Sequence, residues 1–75
     1  MAKHLQRDLD KLQRDLLTLA GEVEEAIGRS IRSLQERDAD LAREVIAGDS
    51  RIDEEENLVE EECLKILALH QPVAV

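Results

Sequence analysis

The chain has 75 residues, of which 43% are apolar and none is aromatic, and its formal net charge is −8. This length predicts at most one domain, with a core too small to be ample without a partner or a further segment. The acidic excess and the lack of aromatic rings argue against direct nucleic-acid binding, and the single cysteine excludes a disulfide framework.

A first helix is predicted over about residues 3–36. From Leu5 onward the apolar residues recur in steps of three and four, which is the spacing of one helix face. This stripe consists of Leu5, Leu9, Leu12, Leu16, Leu19, Val23, Ala26, Ile27, Ile31 and Leu34. Gly21 and Gly28 lie on one face of the same segment, and we interpret them as room for the close approach of a neighbouring helix.

A second helix is predicted over about residues 39–69. The first stripe stops at the sequence ERDAD, where Asp38 or Asp40 is suited to cap a new helix. The second stripe consists of Leu41, Val45, Ile52, Val59, Ile66 and Leu69. The single proline ends this helix, because proline disfavours helical geometry at the residue before it. Proline is also a good first helical residue, so residues 72–75 are predicted to open a third helix.

Two helices of similar length joined by a short turn predict an all-α fold, an antiparallel two-helix hairpin. Each stripe is wide enough for more than one neighbour, so we expect two hairpins to pair into a four-helix bundle. Oppositely charged residues four positions apart should support the exposed faces. These pairs are Asp10 with Arg14, Lys11 with Asp15, Glu25 with Arg29, Arg32 with Glu36, Arg51 with Glu55, and Glu61 with Lys65.

An acidic run in the second helix raises the question of a metal site. Asp49, Asp53, Glu56 and Glu60 share one helical face, and carboxylate oxygens suit hard cations such as Mg²⁺ or Mn²⁺. One helix alone cannot enclose an ion, and the chain has no Glu-x-x-His pair of the kind that di-metal bundles use. We therefore favour a solvated face and predict no metal or cofactor site, with a weak surface cation site at these four residues as the alternative.

Catalytic chemistry is not indicated by the sequence. Cys63 has acidic neighbours, which disfavour a reactive thiolate, and His4 lies on the first turn of the first helix while His70 lies on the last turn of the second. The chain has no Gly-rich phosphate loop and no zinc-ligand spacing. We predict no catalytic residue and no enzyme activity.

The predicted compartment is the cytosol. No apolar run approaches the roughly 20 residues of a membrane-spanning helix. The first residues, MAKHLQRD, lack the apolar stretch of a secretory signal.

Several short motifs occur together beyond what a generic hairpin requires. They are Arg37-Asp38 with Leu41-Ala42, Val45-Ile46 with Asp49 and Ile52-Asp53, Glu62-Cys63-Leu64, Leu67-Ala68-Leu69, and Gln71-Pro72-Val73-Ala74. Through these motifs nearly the whole chain resembles the amino-terminal part of the PhoU family, regulators of bacterial phosphate uptake. The sequence departs from the family pattern at Glu55, where an apolar residue is usual, and at His70, where glutamine is usual.

The resemblance implies a fold of two tandem three-helix bundles. Residues 1–75 would form a single truncated domain, with the first two helices of the first bundle and the opening of the third at residues 72–75. Family members carry Glu-x-x-x-Asp motifs that bind Fe, Zn, Mn or Mg on the third helix of each bundle, beyond Val75. None of those ligands falls on a residue of this chain.

The resemblance also implies a function by protein contact. It points to a cytoplasmic, membrane-peripheral regulator that links the phosphate ABC transporter ATPase to a sensor histidine kinase. Such a regulator damps the phosphate-starvation response when phosphate is plentiful. Two other functions stay open: a structural helical hairpin that only oligomerises, and an acidic metal-binding bundle.

Overall fold

The hairpin consists of two antiparallel α-helices, α1 at Ala2–Gln35 and α2 at Ala39–His70. This computed structural model describes the backbone of residues 2–70 and the side chains of residues 4–70. The molecule measures 58 × 17 × 16 Å. The predicted all-α hairpin is confirmed, with helix bounds within one residue of those expected. The predicted pairing of two hairpins stays a prediction, and the expected third helix lies outside the described residues.

Helix α1 ends in a tight turn built on a left-handed residue. Arg37 has a φ of 52°, a conformation that side chains with a Cβ adopt at a cost. Two backbone hydrogen bonds close the turn, from the Asp38 N–H to the Ser33 carbonyl at 2.9 Å and from the Arg37 N–H to the Leu34 carbonyl at 3.4 Å. These two bonds form a Schellman motif, which satisfies carbonyls that the end of the helix would leave free.

Helix α2 begins under the cap of Asp38. The Asp38 Oδ1 accepts a hydrogen bond from the Leu41 N–H at 3.0 Å, and the Asp38 carbonyl accepts one from the Ala42 N–H at 3.1 Å. Of the two caps that the sequence allows, the structure thus uses Asp38, while Asp40 forms an ion pair with Arg43. One residue therefore serves both the end of α1 and the start of α2, which makes the connection short.

The helices meet along one apolar row with a seven-residue repeat. Its members are Leu5, Leu12, Leu19 and Ala26 of α1 and Leu41, Val45, Ile52, Val59 and Ile66 of α2. Among the described apolar side chains, Leu41 and Ile66 alone are buried, and the others in this row are half-buried. Ser33 is also buried, with its hydroxyl donating to the Ser30 carbonyl at 2.7 Å. The core is thus a single line of side chains, as expected for two helices.

The other half of the α1 stripe stays in water. The exposed members are Leu9, Leu16, Ile27, Ile31 and Leu34. A stripe this wide spans more of the helix surface than a single neighbour can cover. The structure therefore confirms that the hairpin leaves apolar surface available for another helix.

The interpretation of the two α1 glycines is wrong within this hairpin. Gly21 and Gly28 are exposed, and a Cβ built at either position meets no atom within 4 Å. Helix α2 packs on a different face of α1, so these positions make no close helix approach in the hairpin.

Candidate functional site

A second row of the helix interface is charged. On α1 it consists of Asp8, Asp15, Glu22 and Arg29, again seven residues apart, and on α2 their partners are His70, Glu62, Arg51, Glu55 and Glu44. We call these residues the polar row. It runs beside the apolar row, because positions three or four residues away on a helix lie on the adjacent strip of the same face.

The two ends of the polar row are simple pairs. His70 Nε2 lies 3.2 Å from Asp8 Oδ2, where the two helices have their free ends. At the turn end, Arg29 donates to Glu44 at 2.7 Å. Both pairs join residues far apart in sequence, so they connect α1 to α2 and do not stabilise either helix alone.

Next to Asp8, the Lys11 ammonium bridges two carboxylates. Its Nζ donates to Asp15 at 2.8 Å and to Glu62 at 3.2 Å. The hydrogen bonds to Asp15 and Glu62 raise the pKa of Lys11 above its usual value of 10.5. The same hydrogen bond from Lys11 lowers the pKa of Asp15 below 3.8. The ammonium thus hydrogen-bonds both acids and offsets one of their two negative charges.

At the middle of the hairpin the charges are not balanced. Arg51 lies 3.6 Å from Glu22 and 3.7 Å from Glu55, so one exposed guanidinium faces two carboxyl groups. The Glu22 Oε2 atom is buried and has no hydrogen-bond partner among the described residues. A hydrogen bond with Glu22, together with desolvation, raises the pKa of Glu55 above its usual 4.5. This is the position at which the family pattern has an apolar residue.

Half of the ion pairs expected within the helices form. Lys11 pairs with Asp15, Arg32 with Glu36 at 3.7 Å, and Arg51 with Glu55. The expected pairs Asp10 with Arg14, Glu25 with Arg29, and Glu61 with Lys65 are not among the ion pairs of the described residues. Arg29 reaches across to α2 instead, which sequence spacing within one helix does not reveal.

A shallow groove along one side of the hairpin exposes the uncovered half of the α1 stripe. Its α1 wall consists of Leu16, Leu19, Ala20, Val23 and Ile27, and Glu24 and Glu56 stand at its edges. We call this surface the apolar groove. Its lining is mostly apolar, and it is open to solvent.

The four candidate cation ligands remain on the surface of α2. Asp49, Asp53, Glu56 and Glu60 are all exposed, and Glu56 borders the apolar groove. Across the described part of the chain, no group of three or more His, Cys, Asp or Glu side chains could hold a metal ion. The four carboxylates thus lie on an exposed face of α2, and the expectation that they bind no metal stays a prediction.

The other singled-out residues lie apart from one another. Cys63 is half-buried and carries a free thiol. His4 is exposed, with its Nδ1 3.1 Å from the Arg7 guanidinium, while His70 pairs with Asp8. The structure therefore brings neither histidine to the cysteine.

The polar row is what reasoning from the sequence missed. A signal for it exists, because Asp8, Asp15, Glu22 and Arg29 repeat every seven residues beside the apolar stripe. That repeat is easily taken for part of the solvated face, since Asp, Glu and Arg are all common on helix surfaces. Within residues 2–70, neither helix is long and apolar enough to cross a membrane.

Comparison with known proteins places the chain in a family. The PhoU domain matches residues 16–75. The phosphate-specific transport system accessory protein PhoU homolog of Deinococcus radiodurans is 39% identical over 74 residues, which cover 99% of this chain and 35% of that protein. A second homolog, from Methanothermobacter thermautotrophicus, is 37% identical over 70 residues, covering 93% of this chain and 32% of the relative.

The Escherichia coli K12 accessory protein PhoU shows the same partial overlap. It is 33% identical over 67 residues, which cover 89% of this chain and 28% of that protein. The chain thus spans about a third of the length of these relatives. No solved structure matches it. Because the domain match covers most of the chain and includes the turn and all of α2, the chain belongs to the PhoU domain family.

Proposed function

We propose that this chain is part of a regulator of phosphate uptake that acts by protein contact and not by catalysis. The observation that carries the proposal is the match of residues 16–75 to the PhoU domain. Its relatives are named as accessory proteins of a phosphate-specific transport system. The structure supports a contact role, because the hairpin presents an open apolar groove.

The proposed partners are the phosphate ABC transporter ATPase and a sensor histidine kinase. A regulator that binds both can report phosphate supply to the kinase and damp the starvation response. Such a protein would work at the cytoplasmic face of the membrane, held there by its partners. The names of the relatives support an association with the transport system.

We further propose that residues 1–75 form the first part of a three-helix bundle. In the longer protein a third helix, beginning near residues 72–75, would pack into the apolar groove. In the 75-residue chain alone, a second hairpin would cover the same groove and give a four-helix bundle. Metals of the family motifs would bind beyond Val75, so this chain needs no cofactor of its own.

The test is a pull-down with the transporter ATPase and the kinase, using both a full-length protein and the 75-residue chain. A phosphate-starvation reporter in cells that lack the native regulator gives the functional readout. The informative variant is Ile27→Asp in the apolar groove. Leu58→Asp is the matched control, because Leu58 is similarly exposed but does not line the apolar groove.

We expect the full-length protein to capture both partners and to silence the reporter at high phosphate. Ile27→Asp should weaken this activity, and Leu58→Asp should affect it less. Loss of partner capture by both variants alike would contradict a role for the groove. A full-length protein that captures neither partner would overturn the proposed function.

A purely structural hairpin is the alternative that the exposed apolar row also supports. It predicts concentration-dependent pairing of hairpins with no effect on the reporter. In sedimentation equilibrium, Ile27→Asp should shift the 75-residue chain toward monomer under either function, so the reporter is the measurement that separates the two. An acidic metal-binding bundle is the other alternative, and metal analysis of the purified protein tests it.

A further inference from the structure

The middle of the polar row differs from its neighbours in how its charges are compensated. Lys11, Asp15 and Glu62 form one layer across the two helices, and Glu22, Arg51 and Glu55 form the next. The Lys11 Nζ lies within hydrogen-bonding distance of both acids of its layer, 2.8 Å from Asp15 and 3.2 Å from Glu62. Arg51 stands 3.6 and 3.7 Å from Glu22 and Glu55, beyond the usual range of a strong charge-assisted hydrogen bond. Both sets of three residues carry one surplus negative charge when their two acids are ionised, but the Arg51 guanidinium offsets it from a greater distance than the Lys11 ammonium does.

The two carboxyl groups are also partly withdrawn from water. Their side chains are 26% and 33% exposed, whereas that of Arg51 is 71% exposed. Glu22 Oε2 is buried and lacks a hydrogen-bond donor within the described residues. A buried acceptor without a donor is costly, and two facing carboxylates repel each other.

One proton removes both costs. A protonated Glu55 can donate its O–H to the Glu22 carboxylate, which gives the pair a shared hydrogen bond and leaves one negative charge for Arg51. Glu22 is the largest cause of the raised pKa of Glu55, ahead of desolvation, which agrees with a proton held between the two carboxyl groups.

The surrounding charges do not compensate this layer. On α1 the neighbouring members of the polar row are Asp15, which is bound to Lys11, and Arg29, which is bound to Glu44. On α2 the layer is flanked by Glu62, which also binds Lys11. The nearby cations are thus engaged with other acids.

We propose that the Glu22, Arg51 and Glu55 layer is a protonation switch, in which one shared proton tightens contact between the helices at mid-length and its loss loosens that contact. The switch operates inside the hairpin and is separate from the apolar groove. It would make the middle of α1 and α2 open more readily as the pH rises.

The direction in which stability changes with pH follows from the raised pKa of Glu55. A carboxyl group whose pKa is higher in the folded chain than in the unfolded chain stabilises the fold at low pH. That stabilisation is complete below the unfolded pKa and is lost as the pH rises through the folded pKa. Acidification from neutral pH should therefore strengthen the middle of the hairpin, opposite to the effect of Asp15.

The experiment compares three chains at one protein concentration: the wild type, Glu55→Gln and the control Glu54→Gln. Glu54 is the preceding residue and is exposed, so its substitution changes the net charge equally without changing the layer. Urea unfolding followed by circular dichroism, from about pH 4 to about pH 8, gives the midpoint at each pH. Amide hydrogen exchange measures how readily the two helices open near Glu22 and Glu55.

We expect Glu55→Gln to raise the urea midpoint relative to Glu54→Gln at neutral pH, with the difference shrinking toward pH 4. Exchange of amides near Glu22 and Glu55 in the wild type should quicken with pH beyond the intrinsic increase, and this excess should vanish in Glu55→Gln. Equal pH profiles for the two variants would overturn the proposal.

A pH titration of the wild-type chain tests the proposal without relying on a variant that could change the fold. The side-chain carboxyl carbons of the wild-type chain can be followed by NMR as the pH changes. Glu55 should titrate above its usual 4.5, and in Glu22→Gln the midpoint should fall. A Glu55 midpoint at or below the usual value in the wild type would refute the switch.

Discussion

Replacement of Ile66 by alanine tests whether the single apolar row holds the hairpin together. Ile66 is 9% exposed and is one of two buried apolar side chains in the described hairpin. The change removes three carbons, or about 2.4 kcal/mol of transfer free energy at about 0.8 kcal/mol each. Cavity formation usually adds to this cost, but a row open on both sides can collapse, so we expect a loss of about 2–3 kcal/mol.

Such a loss is large for a chain of this size. Single domains are stabilised by roughly 0.05–0.15 kcal/mol per residue, which gives about 4–11 kcal/mol here. Leu67→Ala is the control, because it removes the same number of carbons from a neighbouring side chain that is 61% exposed. It should cost about 0.5–1 kcal/mol.

The assay is urea unfolding followed by helical circular dichroism at a fixed protein concentration, since any pairing of hairpins makes the midpoint concentration-dependent. Ile66→Ala should lower the free energy of unfolding by at least twice as much as Leu67→Ala. Equal losses from the two substitutions would refute the single-row core. They would show instead that the exposed face of α2 is buried in the molecule as it exists in solution.

Three further predictions concern the turn, the polar row and the acidic face. Arg37→Gly should raise the free energy of unfolding by about 0.5–1 kcal/mol, because glycine adopts the left-handed conformation of this turn without strain; a decrease would contradict the assigned φ of 52°. Lys11→Met should lower the urea midpoint between about pH 4 and about pH 10 and lose this effect as the pH falls further. The reason is that Lys11 lowers the pKa of Asp15, so the pair stabilises the fold only while Asp15 is ionised; an effect that persists at pH 2 would argue against the pairing. Glu56→Gln combined with Glu60→Gln should leave the metal content of the purified chain unchanged by mass spectrometry, and a drop would establish the cation site that we do not expect.

Within the helix interface, the charged residues were the hardest to anticipate. Glu55 departs from the family pattern, and the sequence offers no reason for an acid at that position. Only the facing residue, Glu22 on α1, reveals its environment. Likewise Glu25 and Glu44 are equally plausible partners for Arg29 by charge, and the packing of α2 selects Glu44.

The sequence by itself determined the two helices, their bounds and their turn. Apolar spacing sets the helical period locally, and the prolonged stripes leave few places other than ERDAD for a break. It also placed the chain in its family through motifs along α2. The sequence did not predict the left-handed backbone of Arg37, since glycine is the usual residue at this position of a helix end.

The tertiary structure alone decided which half of the α1 stripe is covered. Leu5 and Leu12 pack against α2 while Leu9 and Leu16 remain exposed, although all four fit the same periodic pattern. The physical reason is that one neighbouring helix covers a strip narrower than the apolar stripe. The position of α2 therefore has to be known before the buried residues can be identified. The same position turns a line of ordinary surface charges into the polar row, because an ion pair between helices depends on distances that no spacing within one helix specifies.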